Sequence, residues 1–211
     1  MKFLLPSYLL ILPCVLLHAA EPTPTPEPEA AAEATPALAE KIQHPSPDGK
    51  YALRVGYDAA MNEGISKPNG EIDSIAIQAI AIVSLPGKEI ARDLTKEVSD
   101  SGNNFEPLKL LWSSDSKWCA FYYSFPRTGY TSVFHLRGGK WELAHEPDQL
   151  NVPTKDDVRN EHIEPVRWVK PGVLELSVER VYRGESEGDG LTGFTASFDG
   201  KGQFKILKKK R

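Results

Sequence analysis

Four histidines follow residue 20, namely His44, His135, His145 and His162. None of their spacings matches the H-x3-H pattern by which two imidazoles on neighbouring turns reach one zinc ion. Cys119 stands between Trp118 and Ala120 in an apolar run and is the only cysteine after residue 20. A thiol so placed packs as a small hydrophobe and has no intrachain partner; a nucleophilic role needs an exposed, electropositive setting and a nearby histidine. Asp48 and Asp115 each precede a strand-like run. They read either as paired acids or, more simply, as turn residues whose carboxylates bond the backbone two residues on. Ser101-Gly102-Asn103-Asn104 reads as a loop, since no G-x-S-x-G elbow presents a serine. No glycine motif cradles a phosphate. Residue types and spacing therefore assign no catalytic residue, no metal ligand and no cofactor.

Two stretches suit recognition. Tyr122, Tyr123 and Phe125 lead into Pro126-Arg127-Thr128-Gly129 and Tyr130. Tyrosine offers a large stacking face and arginine a bidentate donor, the pair enriched at contact surfaces. Arg183–Gly190 reads RGESEGDG, with three carboxylates among three glycines. Such a loop can offer oxygens to a hard cation, although the spacing is not that of an EF-hand, and acidic tips also serve solubility alone. The candidate ligand contacts are Arg127, Tyr130, Tyr123, Glu185, Glu187 and Asp189.

The elements that hold these loops follow a recurring pattern. Leu110–Phe125, LLWSSDSKWCAFYYSF, is two apolar runs split by a Ser/Asp/Lys turn. Ser46-Pro47-Asp48-Gly49-Lys50-Tyr51-Ala52-Leu53 is a weaker copy upstream, and Trp168-Val169-Lys170-Pro171-Gly172-Val173-Leu174-Glu175-Leu176 a copy downstream without the Asp. Each is followed by strand, tight turn, strand: Ile80–Leu85 with Ile90–Leu94, Thr131–Leu136 with Trp141–His145, and Thr195–Phe198 with Phe204–Leu207. The fold class is therefore all-β, built from antiparallel four-stranded meander units repeated about three times. W-S-x-D-x-K-W-x-A-F and S-P-D-G-K-Y-A-L resemble the blade signature of TolB-type and WD40-like β-propeller repeats, over most of the chain after residue 42. The resemblance implies a propeller-like stack and brings no catalytic residue with it. Three units are fewer than a closed propeller needs, so an incomplete propeller, another twisted sheet or a sandwich all stay open.

Pattern also sets register. A two-residue turn at Gly138-Gly139 places Leu136 opposite Trp141, Phe134 opposite Leu143 and His135 opposite Glu142. The loop Gly200-Lys201-Gly202 places Phe198 opposite Phe204 and Ala196 opposite Ile206. Ile75–Val83 and Trp118–Phe125 are apolar on both faces and read as strands covered on both sides, whereas Leu174, Leu176 and Val178 alternate with Glu175, Ser177 and Glu179 and predict one wet face. The core is expected to hold Trp112, Trp118, Phe121, Phe134, Trp141, Trp168 and Leu176. Thr154–Asn160, with Thr154 and Asp157 spaced as in a capping box, is the best helix candidate.

Residues 1–20 have the layout of a secretory signal peptide: Lys2, an apolar run and His18-Ala19-Ala20 at the cut. An uncleaved anchor is the alternative. Residues 21–41, rich in Pro, Ala and Glu, read as a disordered spacer. One all-β domain over 42–211 follows. The sequence has 25 basic and 29 acidic side chains; losing Lys2 leaves 24 against 29, a net of −5, which argues against a nucleic-acid partner. The Lys208–Arg211 end is a short basic tail. The expected protein is a secreted or periplasmic binding module for another envelope protein, a peptide or a glycan, touching membrane only through an uncleaved signal. The alternatives are an envelope hydrolase, with His145 or His162 beside Asp148, Asp156 or Glu161, and a structural subunit that pairs through sheet edges. The Arg127–Tyr130 tip, the Glu185–Asp189 tip and the Gly56–Asp73 loop are expected on one edge.

Overall fold

The computed structural model describes residues 38–63, 72, 76–99, 108–125, 127–145, 150, 152–154, 157–183, 189–199 and 201–210. These belong to one compact unit, residues 37–211. The expected signal peptide, and the spacer up to residue 37, fall outside the described residues. The spacer assignment ran too far: Ala39–Gln43 form strand β1, because their backbone pairs antiparallel with β2, Tyr51–Tyr57.

The architecture is all-β. A first sheet has the order β1-β2-β3-β4, where β3 is Ile77–Ser84 and β4 is Ile90–Asp93. The one-turn helices α1, Ala59–Glu63, and α2, Thr95–Ser99, follow β2 and β4. The second sheet holds β5 (Lys109–Trp112), β6 (Trp118–Ser124), β7 (Thr128–Arg137) and β8 (Lys140–Leu143), then β9 (Val158–Lys170), β10 (Val173–Tyr182), β11 (Asp189–Phe198) and β12 (Phe204–Lys210). Successive strands pair antiparallel within β1–β4, β5–β8 and β9–β12. Both sheets are twisted and neither closes into a barrel.

Among the described residues, antiparallel pairing fails at one place. β7 and β9 run parallel over two rungs, Thr128 with Glu161 and Gly129 with His162. Beyond them the Thr131 hydroxyl donates to the Ile163 carbonyl at 2.6 Å, and the Trp168 indole N–H, further along β9, donates to the Leu111 carbonyl of β5 at 3.0 Å. β9 therefore starts beside β7 and then crosses over β5–β7.

The two Asp turns are the same structure twice. Asp48 Oδ1 accepts from the Ser46 hydroxyl (2.7 Å) and the Lys50 N–H (3.1 Å), while the Tyr51 N–H donates to Ser46 Oγ (3.0 Å). Asp115 Oδ1 accepts from the Ser113 hydroxyl and the Lys117 N–H (3.1 Å), while the Trp118 N–H donates to Ser113 Oγ (3.1 Å). Both need one residue in the left-handed region, Gly49 (φ 69°) in the first and Ser116 (φ 56°) in the second. The turns also meet, since the Asp48 N–H donates to the Ser116 hydroxyl at 3.0 Å, and the Trp112 indole N–H reaches the His44 carbonyl at 2.7 Å. β2 and β6 thus start from one clasp, capped by Tyr51, Trp112 and Trp141 with ring centroids 5.3–6.5 Å apart.

The core has two parts separated by β6, all seven of whose residues are buried. Cys119, Phe121 and Tyr123 join Leu53, Val55, Ile80, Ile82, Phe134 and Trp141 between the two sheets. Trp118 and Ala120 join Ile163, Leu174, Leu176, Val178, Phe194 and Phe198 on the other side, with Leu150 and Val152 from the preceding segment. The registers expected for the Gly138-Gly139 and Gly200–Gly202 hairpins are those observed. Of the expected core residues, Trp112 and Trp168 are only half-buried at its margins.

Two expectations are corrected. Val158–Asn160 open β9 instead of closing a helix, because β10 extends to Tyr182 and its backbone takes Val158 and Asn160 as partners. Glu175 is not on a wet face: it is 8 % exposed, and Arg167 Nε lies over it at 3.0 Å. Arg180 is likewise buried, held by the Glu161 carboxylate and the Val152 carbonyl. A buried charge needs such partners, and here they also fasten the 152–154 segment over the core.

Asp115→Ala removes an acceptor from two donors and should lower stability by about 1 kcal/mol, read as a lower urea midpoint, while Asp115→Asn should retain most of it. His135 stacks on Trp118 at 4.0 Å; burial there, and next the Arg137 charge, hold its pKa below the ordinary 6.5. The folded state then binds fewer protons than the unfolded state just below pH 6.5, so stability falls as pH drops through that value. Urea midpoints at pH 7.5 and 5.5 should show a smaller drop in His135→Phe than in the unsubstituted protein.

Candidate functional site

The face of β9–β10 turned away from the core carries a polar stripe. In β9 it is Asn160, His162 and Glu164; opposite them in β10 stand Val181, Glu179 and Ser177. The period of two places all six on one side, while Ile163 and Val178 between them point into the core. β9 crosses over β6 here, so Tyr122 of β6 closes the stripe into a cleft of about 210 Å³ lined by these seven residues.

Three contacts shape the cleft. The Tyr122 hydroxyl lies 3.3 Å from His162 Nδ1. Lys109 Nζ of β5 pairs with Glu164 Oε1 at 2.9 Å. The Ser177 hydroxyl turns toward the Glu164 carbonyl at 3.5 Å. Gly129 makes the first contact possible: a Cβ there would stand 2.3 Å from the Tyr122 hydroxyl and 2.7 Å from His162 Nδ1. Tyr122 is 3 % exposed. Burial, then the negative charge of Glu164 and further off that of Glu179, push its pKa up to about 12. The phenol is neutral at any physiological pH and acts as a hydrogen-bonding group, not a base. The Asn160 side-chain oxygen is fully buried without a hydrogen-bond partner.

The residues singled out from sequence are placed differently. Tyr123 is 4 % exposed and part of the core, so it offers no contact surface; its ring packs on Phe125 and Tyr130, with centroids 5.6 and 5.9 Å away. Tyr130 is half-buried in the same group. Arg127 is exposed, and its carbonyl accepts from the Glu161 N–H at 3.0 Å. Glu185 and Glu187 fall outside the described residues, and so does the side chain of Asp189, whose backbone opens β11 opposite Val181. The Glu185–Asp189 tip up to residue 188 and part of the Gly56–Asp73 loop fall outside the described residues; of the expected common edge the backbone gives one rung across four strands, Thr128, Glu161, Arg180 and Gly190. The start of β7 and the end of β10 are thus two strand spacings apart, roughly 10 Å.

The histidines behave as distinct groups. His145 is fully buried, with Nε2 accepting from the Val133 N–H at 3.2 Å, and is closed to a ligand. His162 does sit in a cleft, but beside Glu164 and Glu179; Glu161 turns away to Arg180. Asp148 and Asp156 fall outside the described residues. Among the described residues no three His, Cys, Asp or Glu are grouped to hold a metal ion. Of the cleft residues, Asn160, Glu164 and Val181 carry no signal of their own in the sequence, because a helix expected over Thr154–Asn160 hides the alternation Asn160, His162, Glu164. Its signal is a polar period of two facing a second one at Ser177 and Glu179.

No protein-family model, no curated protein and no solved structure matches this chain. The blade-like motif therefore rests on its turn chemistry alone.

Gly129→Ala should push Tyr122 and His162 apart, costing 1–3 kcal/mol by overpacking, roughly what forced insertion of a methyl group into a tight site costs. The accompanying signature is spectroscopic: one tyrosine titrating near pH 12 at 295 nm should move toward 10. Because the raised pKa favours the folded phenol, the unsubstituted domain should also lose stability as pH rises from 10 to 12.

Proposed function

We propose that this chain is an exported binding module that takes a small polar ligand in the cleft between Tyr122 and the outer face of β9–β10. The observation that carries the reading is the lining itself: six hydrogen-bonding side chains and one valine around about 210 Å³. Rigid strands hold all seven residues, with β9 fixed by the Lys109–Glu164 pair on one side and by buried Arg180 on the other. Such preorganisation lowers the ordering cost of binding. The apolar leader and the Pro-, Ala- and Glu-rich stretch read in residues 1–37 support export. The acidic balance of the chain supports a partner other than nucleic acid.

The site binds without chemistry in this reading. Tyr122 is too weak an acid to be ionised, and Cys119 is buried with its thiol pKa pushed well up by desolvation. The hydrolase alternative draws on one specific feature of the same cleft, the imidazole of His162 opposite the carboxylate of Glu179. A general-base arrangement needs the carboxylate to hydrogen-bond and orient the imidazole, whereas His162 Nδ1 here faces the Tyr122 hydroxyl.

Titrating the 15N-labelled full chain with a panel of mono- and disaccharides, amines and short peptides tests the site. Binding in the cleft should shift amides of residues 160–164 and 177–181 and should weaken at least tenfold in His162→Ala. Shifts confined to the Arg127–Tyr130 tip, or none with any member, would remove this reading. Release of product from a bound panel member at a rate lost in His162→Ala would establish the hydrolase instead.

A further inference from the structure

We propose that the end of the β9–β12 outer face remote from the cleft is a contact surface for an anionic lipid bilayer, whatever the cleft binds. Arg167 and Lys170 stand on β9, Lys205 and Lys208 on β12, and all four are exposed. The registers run Arg167–Glu175–Thr195–Lys208 and Lys170–Val173–Ser197–Lys205, so the four cations mark the corners of one face. Thr195 and Ser197 lie between them, on the side opposite Phe194 and Ala196, which point into the core. Three strand spacings one way and two residues the other separate the corners, roughly 14 Å by 7 Å.

Charge gathers there against the sign of the chain. Six of the twelve residues after Asp199 are Lys or Arg and none is acidic, in a sequence with 25 basic and 29 acidic side chains. Of the four corner cations only Arg167 has an ion-pair partner among the described residues, the buried Glu175 at 3.0 Å. Four cations against that one carboxylate leave a net of three positive charges. At the rim Asp199 accepts from the Lys201 and Gln203 N–H groups, and Lys201 balances its charge. Glu164, next along the outer face, is neutralised by Lys109. Glu179 stands four residues beyond Glu175, roughly 13 Å away, which exceeds the Debye length of about 8 Å at physiological salt. Its repulsion of an anionic surface is therefore screened, whereas the cations in contact with that surface are not.

The spread of the cations says what kind of anion they meet. A single phosphate would engage them all only if long side chains leaned in across two strands. A surface bearing many phosphates meets each of them where it stands. β12 is an edge strand, and this part of β9 has already left β7. Cations along such edges disfavour the addition of another strand, which leaves the face to receive the partner. Bare aliphatic side chains flank the same corners. Val166 and Val169 on β9 are 45 % and 50 % exposed, and Leu207 on β12 is 53 % exposed. An anionic polymer gains nothing from them, whereas the headgroup boundary of a bilayer takes up apolar side chains beside lysines.

The experiment uses the full chain and co-sedimentation with vesicles of phosphatidylcholine alone, or with about 30 % of the anionic phosphatidylglycerol. The apolar run in residues 1–20 is common to every variant, so the readout is the difference between anionic and neutral vesicles. Binding should be at least tenfold tighter to the anionic vesicles and should fall with added salt. Lys205→Gln with Lys208→Gln should lose about fivefold per lysine, at least tenfold together, while Lys205→Arg with Lys208→Arg retains binding. Lys88→Gln with Lys96→Gln, the same charge change on exposed positions beside the first sheet, should leave binding within about twofold. The lipid and salt series need no substitution and can fail on their own. Equal binding to both vesicles, or equal loss in the two glutamine pairs, overturns the contact. Heparin or polyglutamate binding that is lost in Lys205→Gln with Lys208→Gln, without preference for anionic vesicles, assigns the patch to a soluble polyanion and overturns the lipid surface.

Discussion

The structure depends on β6 being apolar on both faces and clasped at one end. Cys119, Phe121 and Tyr123 hold the β1–β4 sheet, while Trp118 and Ala120 hold the crossing β9–β12 strands. A strand with core on both sides has no freedom to slip, because a shift of one residue would exchange two differently shaped surfaces. The Asp115 turn sets where β6 begins, and its contact with the Asp48 turn sets where β2 begins relative to it. Everything at the far end inherits that register. Tyr122, the sixth position of a turn-plus-strand that starts at Lys117, reaches the cleft for this reason.

β9 is the second organising element, for a different cause. It pairs with β7 over only two rungs, then crosses above it, so one strand serves as sheet neighbour and as covering layer. The crossing leaves an angle between β6 and the β9–β10 face, and an angle between two layers is where a concave site forms without any loop having to build it. Gly129 sits at the vertex. Its missing side chain is what permits Tyr122 and His162 to meet there.

Much of the fold was legible in the sequence because it is written in strong local signals. Two Ser-x-Asp turns, the Gly138-Gly139 pair and the alternation on either side sufficed to order the strands and to pair Phe134 with Leu143 and Phe198 with Phe204. The joins between units were not legible. The parallel step at Gly129–His162 and the burial of Glu175 and Arg180 are set by partners on neighbouring strands, and none of them leaves a local pattern. The candidate site suffered most, since its lining comes from three strands. Arg127 and Tyr130 stood out by residue type in a loop, whereas Asn160, Glu164 and Ser177 are ordinary strand residues until β9 is laid against β10.

Cys119 gives the double-sided strand a measurable meaning. Its thiol is fully buried between the β1–β4 sheet and β6, opposite Phe134, and desolvation keeps it protonated. A thiol-specific reagent can meet it only when the layers over β6 part, and the thiolate that reacts exists only in that opened chain. Alkylation at this one atom therefore counts openings of the innermost strand.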